Sequence, residues 1–274
     1  MTLWLDSNLP GMRLRLPDNY SRFLCQESEQ PRHSVTNGMG SGEPGPDTLH
    51  LTIRNTPVDA APPAGTPLLR TENWELWKDA HGCLVFTSPL EFPSLKITLE
   101  PDFSSGRITG NFAGLQELDP LQDLGIKIFI NWLATRGELL LHASGVIIED
   151  GAYAFIGASG AGKSTAAALL AKDRSLTVLG EDQVVLRYIG GKFWIFGTPW
   201  HLNPSMCSPL GAPLKKMFFL EREDEARAVS LSPDEGVTRL VQTAFIPFYQ
   251  PALVPGILEN LALLHKSVPF YSLS

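Results

Sequence analysis

Apolar and polar residues alternate along Leu49–Ile53 and again along Leu95–Leu99, and that period of two predicts strands with one buried face. Trp74–Trp77 and Cys83–Phe86 read as two more strands, joined by the turn-forming run Asp79-Ala-His-Gly82. Two loop-like stretches punctuate this part. Residues 37–46 are rich in glycine, and Thr56–Pro67 carries Pro57, Pro62, Pro63 and Pro67, which forbid a helix. Residues 1–112 are therefore expected to form a small, mostly β domain.

The pattern changes between residues 110 and 120. Asp119 can cap a helix that Pro120 opens, and Leu121, Leu124, Ile128 and Leu133 follow helical spacing up to Arg136, where Gly137 stops it. Glu138 to Ile148 is rich in Leu, Val and Ile and predicts a strand. Glu149-Asp150-Gly151 reads as a hairpin turn in which the Asp-Gly pair supplies positive φ angles. Ala152–Ile156 returns as a strand and runs straight into a glycine-rich loop. Further on, Pro233-Asp-Glu-Gly236 followed by Val237, Leu240 and Val241 reads as a helix start. Residues 113–274 are thus expected to form a second, α/β domain.

Composition narrows the class. Of 274 residues, 43% are hydrophobic and 19% charged, which is ordinary for a globular chain and excludes global disorder. The net charge of −7 argues against a dedicated nucleic-acid binder, which needs a basic face. Cys25, Cys83 and Cys207 are too few and too scattered for a disulfide framework or a zinc cluster, which points to a reducing cytoplasm. The first residues lack a signal-peptide pattern and no run reaches the roughly 18 apolar residues of a membrane helix.

The chemistry concentrates after Ile156. Gly157-Ala158-Ser159-Gly160-Ala161-Gly162-Lys163-Ser164 fits G-x-x-x-x-G-K-[ST] at every fixed position, between an apolar strand and the Ala- and Leu-rich Ser164–Lys172 run expected to be a helix. Glycines let successive backbone N–H groups converge on phosphate oxygens, Lys163 adds a mobile charge, and the Ser164 hydroxyl can ligate Mg²⁺. Thr165 extends the same cradle. Leu176–Leu179 is a short apolar strand that delivers Gly180-Glu181-Asp182. Two adjacent carboxylates there allow one to face the metal and the other the proton of an attacking hydroxyl.

Together with Leu141-His142-Ala-Ser-Gly145 and the hairpin feeding the loop, these motifs resemble the catalytic domain of the HPr kinase/phosphorylase family, whose core is shared with phosphoenolpyruvate carboxykinases. The resemblance covers roughly Glu138 to the C-terminus. Phe196-Gly-Thr-Pro-Trp200, Pro213-Leu-Lys-Lys-Met-Phe-Phe-Leu220 and Val268-Pro-Phe-Tyr-Ser-Leu273 look like segments of the peptide-modification branch of that group. The family's Pro-Val-Arg-Pro-Gly-Arg run, tied to dephosphorylation, has no equivalent here.

The resemblance implies that His142 supports the acidic pair, that Glu181 stands where the family has an aspartate base, and that Asp182 is the metal-side carboxylate. The resulting expectation is an α/β, P-loop HPr-kinase/PEP-carboxykinase-like core behind a smaller β domain. It would use ATP and Mg²⁺ to phosphorylate a serine or threonine hydroxyl on a peptide or small protein, with no nucleic-acid or membrane partner. A small-molecule kinase and a nucleotide-binding regulator without transfer are the alternatives, and homo-oligomerisation stays open. Lys215, Lys216, Trp200 and His201 are secondary candidates for substrate contact. Glu221–Arg227 reads as a solvated charged turn.

Overall fold

The structure, a computed structural model, describes residues 2–7, 13–14, 33–36, 48–56, 66–72, 74–88, 95–112, 117–118, 125–158, 160–200, 206–222, 225 and 227–274. The expected helix start at Asp119-Pro120, most of the two proline- and glycine-rich stretches, Cys25, Ser159 and His201 lie outside them. The chain divides into two compact units, with the division between Lys127 and Ile128.

Apart from the first residues of a helix at its end, the first unit's described regular elements are all strands. They are β1 (Thr2–Ser7), β2 (Arg13–Leu14), β3 (His33–Thr36), β4 (Thr48–Asn55), β5 (Leu69–Arg70), β6 (Glu75–Lys78), β7 (Leu84–Ser88), β8 (Leu95–Leu99), β9 (Ser105–Gly110) and β10 (Glu117–Leu118). Eight of them build one mixed sheet in the order β3-β1-β4-β9-β8-β7-β6-β5, and β2 pairs with β10. Alternation does what it should. Leu49, Leu51 and Ile53 of β4 are at most 1% exposed and share their core with Leu76, Phe86, Ile97, Leu99 and Ile108.

The second unit follows from α1 (Gly125–Ala134), through which the division passes, and combines helices with mixed sheets in an α/β-like arrangement. Its elements are β11 (Leu139–Ile148), β12 (Gly151–Ile156), α2 (Lys163–Leu170), β13 (Thr177–Gly180), β14 (Gln183–Ile189), β15 (Lys192–Gly197), β16 (Gly211–Leu220), β17 (Ala228–Ser230), α3 (Pro233–Thr243), β18 (Ala244–Phe245), α4 (Val254–Ser267) and β19 (Phe270–Leu273). The hairpin turn differs from expectation. Its two residues are Glu149 and Asp150, and the positive φ of 54° sits on Glu149 rather than on the Asp-Gly pair.

Two long strands organise this unit. The first residues of β11, Leu139–His142, pair with β14, while its later residues pair with β12 on one edge and β13 on the other. In the same way β16 pairs with β15 at its start and with β12 and β19 further along. Each therefore bridges two sheets, between which Leu141, Ala143, Ala154, Ile156, Val184, Ile195 and Met217 are buried. Helix α4 closes this core with Ile257, Leu261 and Leu264, one stripe at helical spacing. Among the described residues no helix is long and apolar enough to cross a membrane.

Gly197, at the end of β15, is where the packing is least forgiving. A Cβ there would lie 1.9 Å from the Ser208 carbonyl oxygen and 2.3 Å from that of Leu179, both main-chain atoms that cannot rotate away. Gly197→Ala is expected to destabilise the unit by about 3 kcal/mol or more. Urea denaturation measures this, and an unchanged midpoint would contradict the packing described. Leu179 leads into Glu181, so the same contact holds the site.

Candidate active site

The loop between β12 and α2 is shaped by main-chain conformation. Gly160 and Gly162 have φ of 79° and 105°, a region that costs an L-residue roughly 1–2 kcal/mol. A Cβ on Gly162 would touch nothing within 4 Å, so conformation rather than space requires the glycine. No side chain caps the start of α2. Its first amides, which have no acceptor within the helix, are left facing the loop with the positive end of the helix dipole.

Lys163 folds back over this loop. Its Nζ donates to the carbonyls of Gly157 at 2.8 Å and Ala158 at 3.2 Å, and the residue is only 6% exposed. Burial pushes the ammonium below the usual lysine value, and the charge of Asp182 acts in the opposite direction. Gly157, Ala158, Gly160, Ala161 and Gly162 line the turn. Ser164 and Thr165 follow Lys163 on the first, exposed turn of the helix.

The acidic pair reaches the same place by register. Gly145 of β11 stands opposite Gly180, and His142 opposite Gln183. Glu181 and Asp182 occupy the break between two strands that follow β11 in one continuous register. On the other edge Ala143 stands opposite Ile156, the last residue before the loop. Strand β11 thus holds the glycine-rich loop on one side and the carboxylates on the other at one level. His142 Nδ1 lies 3.2 Å from Asp182 Oδ1, while Asp182 Oδ2 has a long 3.5 Å contact from Gln183 Nε2. The Asp182 side chain is 39% exposed and Glu181 only 9%.

A cavity of about 670 Å³ opens beside His142 and Gly157–Ala158. It lies where β18, which pairs with Leu140 and Leu141, gives way along β11 to β12. Its wall includes Phe219, Leu220, Glu221, Arg239 and Gln242. Here the charged segment read as a solvated turn is corrected for its first two residues. Strand β16 runs parallel to β12 with Phe219 opposite Ile156, so both chains leave the sheet together. Glu221 accepts a hydrogen bond from Arg239, and Arg222 donates to the Gly160 carbonyl in the loop. Nothing in the local sequence signals these contacts, because Glu221 and Arg239 lie 18 positions apart.

Arg239 also donates to Glu235 Oε1 at 2.7 Å. Its hydrogen bond, and a second from Ser272, hold the Glu221 carboxyl below the usual glutamate value. A depressed carboxylate adds stability above its unfolded-state pKa and loses it as pH falls through the folded value. Glu221→Gln should accordingly flatten the fall of melting temperature below pH 4.5 relative to wild type. An identical acid limb would show that the pair adds nothing.

The secondary candidates have local partners. Lys215 lies 3.5 Å from Asp150, Lys216 sits over the Tyr271 ring, and Trp200 packs on Phe129 with ring centroids 4.9 Å apart. Among the described residues no three His, Cys, Asp or Glu side chains form a metal-binding group. No protein-family model matches the chain, and no curated protein matches it in sequence.

Proposed function

We propose that the second unit is a P-loop phosphotransferase that uses MgATP to phosphorylate a hydroxyl, on a serine or threonine of a peptide or small protein. The observation that carries this reading is the His142–Asp182 contact beside the glycine-rich loop, with the Asp182 charge acting on Lys163. A loop that only bound a nucleotide would have no need of a histidine oriented by a carboxylate at its edge. The residues fit the nucleotide's chemistry. Uncapped amides at the start of α2 and a buried ammonium held by exchangeable carbonyl contacts are donors suited to polyphosphate oxygens.

MgATP supplies the phosphoryl group and most of the charge neutralisation. The amides of Gly160 to Thr165 and the Lys163 ammonium bind its phosphates, with Ser159 in the same run. Ser164 Oγ and Asp182 Oδ2 would hold Mg²⁺, which normally takes only one or two protein ligands and completes its shell with phosphate and water. Asp182 Oδ1 orients His142 through Nδ1, which leaves Nε2 to take the acceptor's proton. We therefore place the proton on His142 rather than on Glu181, whose 9% exposure leaves little surface for a substrate. The likeness to HPr-kinase-like peptide kinases supports the phosphotransferase reading but differs on this assignment, since it implies Glu181 as the base with His142 in support.

The test is transfer of label from γ-labelled ATP to serine-containing peptides. Mg²⁺-dependent label is expected, and its loss in Lys163→Met is the control. Binding of ATP with no label on peptide, sugar or water leaves only a nucleotide-dependent regulator.

A further inference from the structure

We propose that the cavity bounded by His142, Gly157–Ala158, Glu221, Arg239 and Gln242 is the acceptor pocket, and that it takes a serine- or threonine-bearing peptide segment with uncharged or basic neighbours and rejects acidic ones. This rests on the phosphotransferase reading and adds the location and charge selectivity of its second substrate.

Position comes first. The cavity is walled both by the opening residues of the loop and by the histidine assigned to take the proton. A hydroxyl in it would meet His142 directly and stand at the opening of the loop whose later residues are assigned to the phosphates. About 670 Å³ falls within the roughly 300–1,000 Å³ of ordinary ligand pockets.

The lining then sets the class of ligand. Phe219, Leu220 and Phe245 give it apolar walls, and the Phe245 ring meets the His142 ring edge-on at 6.5 Å. Gln242 is exposed, and its side-chain amide has no hydrogen-bond partner among the described residues. A neutral amide pairs well with another amide, such as a peptide group. Arg239 lines the cavity but is not free to bind an anion, because it is held by both Glu221 and Glu235. Glu221 in the cavity wall and Glu235 beside it are two carboxylates around one guanidinium and leave a negative balance there. That field repels an acidic segment and tolerates a neutral or basic one.

The experiment uses the full chain, γ-labelled ATP and Mg²⁺ on synthetic peptides with one central serine flanked by Ala, Lys or Glu. ATP affinity is measured by calorimetry for every variant. Label on Ala- and Lys-flanked peptides at about tenfold or more above Glu-flanked ones is expected. Glu221→Gln and Glu235→Gln release Arg239 and should narrow that gap severalfold. Glu235 lies on the exposed first turn of α3, so that variant stays informative even if Glu221→Gln folds poorly. Equal labelling of Glu-flanked peptides, an unchanged preference in both variants, or label on glycerol or free serine but on no peptide overturns the assignment. Label on another hydroxyl or on water but on no peptide overturns the pocket alone, whereas ATP binding with no label on any acceptor, or no ATP binding, overturns the phosphotransferase reading beneath it.

Discussion

Lys163→Met is expected to abolish nucleotide-dependent function while leaving the protein at least as stable as wild type. The loss of transfer should reach about 10³-fold, the size found when a single preorganised donor to developing phosphoryl charge is removed. The stability result is the more diagnostic half. Burial pushes the Lys163 ammonium below its ordinary value, so over that interval the unfolded chain binds the proton more tightly than the folded one. Wild-type stability should therefore rise as pH climbs from the folded-state pKa of Lys163 toward its unfolded value. Methionine fills similar volume without a charge and should lack that rise. Thermal denaturation with and without MgATP separates the effects. At 100 times Kd the wild type gains about 2.7 kcal/mol from ligand, and the variant should gain nothing. A variant that melts far below wild type, or that keeps the ligand shift, would mean that Lys163 is a structural residue.

This opposition of stability and use matches what the sequence did and did not disclose. The loop, the strand before it and the helix after it were legible because each depends on residues close together. Glycines at 160 and 162 answer to local φ angles, and apolar Ala152–Ile156 to a buried strand. The acidic pair was also legible, since Leu176–Leu179 announces the strand that precedes it. What stayed hidden depends on pairing between distant segments. Glu221 and Arg222 read as a charged turn, yet the parallel register of β16 and β12 carries them to Arg239 and Gly160. The association of His142 with the acidic pair came only from the family resemblance and not from any local pattern. It arises because Gly180 and Gln183 keep one register along β11 while the two residues between them break the ladder.

Other misses follow the same logic. Strand β9, Ser-Gly-Arg-Ile-Thr-Gly, has a composition that reads as a loop, and only pairing with β4 and β8 makes it a strand. Helix α4 has no counterpart among the predicted elements, because Pro251 and Pro255 fall at its start and obscure the helical pattern there. Pro255 lies in the helix's first turn, where a missing N–H costs nothing. The chain's long-range organisation rests on β11 and β16, whose apolar runs announce strands but not that each serves two sheets.

Asp182→Asn is the second variant expected to have a large effect, and it tests the division of labour at the site. The substitution keeps the shape and can still hold His142 Nδ1, but it removes the charge that stabilises a protonated imidazole and that would ligate Mg²⁺. A fall in kcat of about 10³- to 10⁴-fold is expected, because two of the proposed contributions go together. His142→Gln should lower kcat by about 10²-fold or more, with the KM for ATP changed little, since in the proposed arrangement the histidine meets the acceptor and not the nucleotide. If the two side chains act as one unit, the double variant should be scarcely worse than Asp182→Asn alone. Glu181→Gln decides between the two proton acceptors. With His142 in that role it should cost much less than His142→Gln. If instead His142→Gln turns over within about threefold of wild type and Glu181→Gln takes the 10²-fold loss, the proton belongs to Glu181 and the histidine only props up its neighbour.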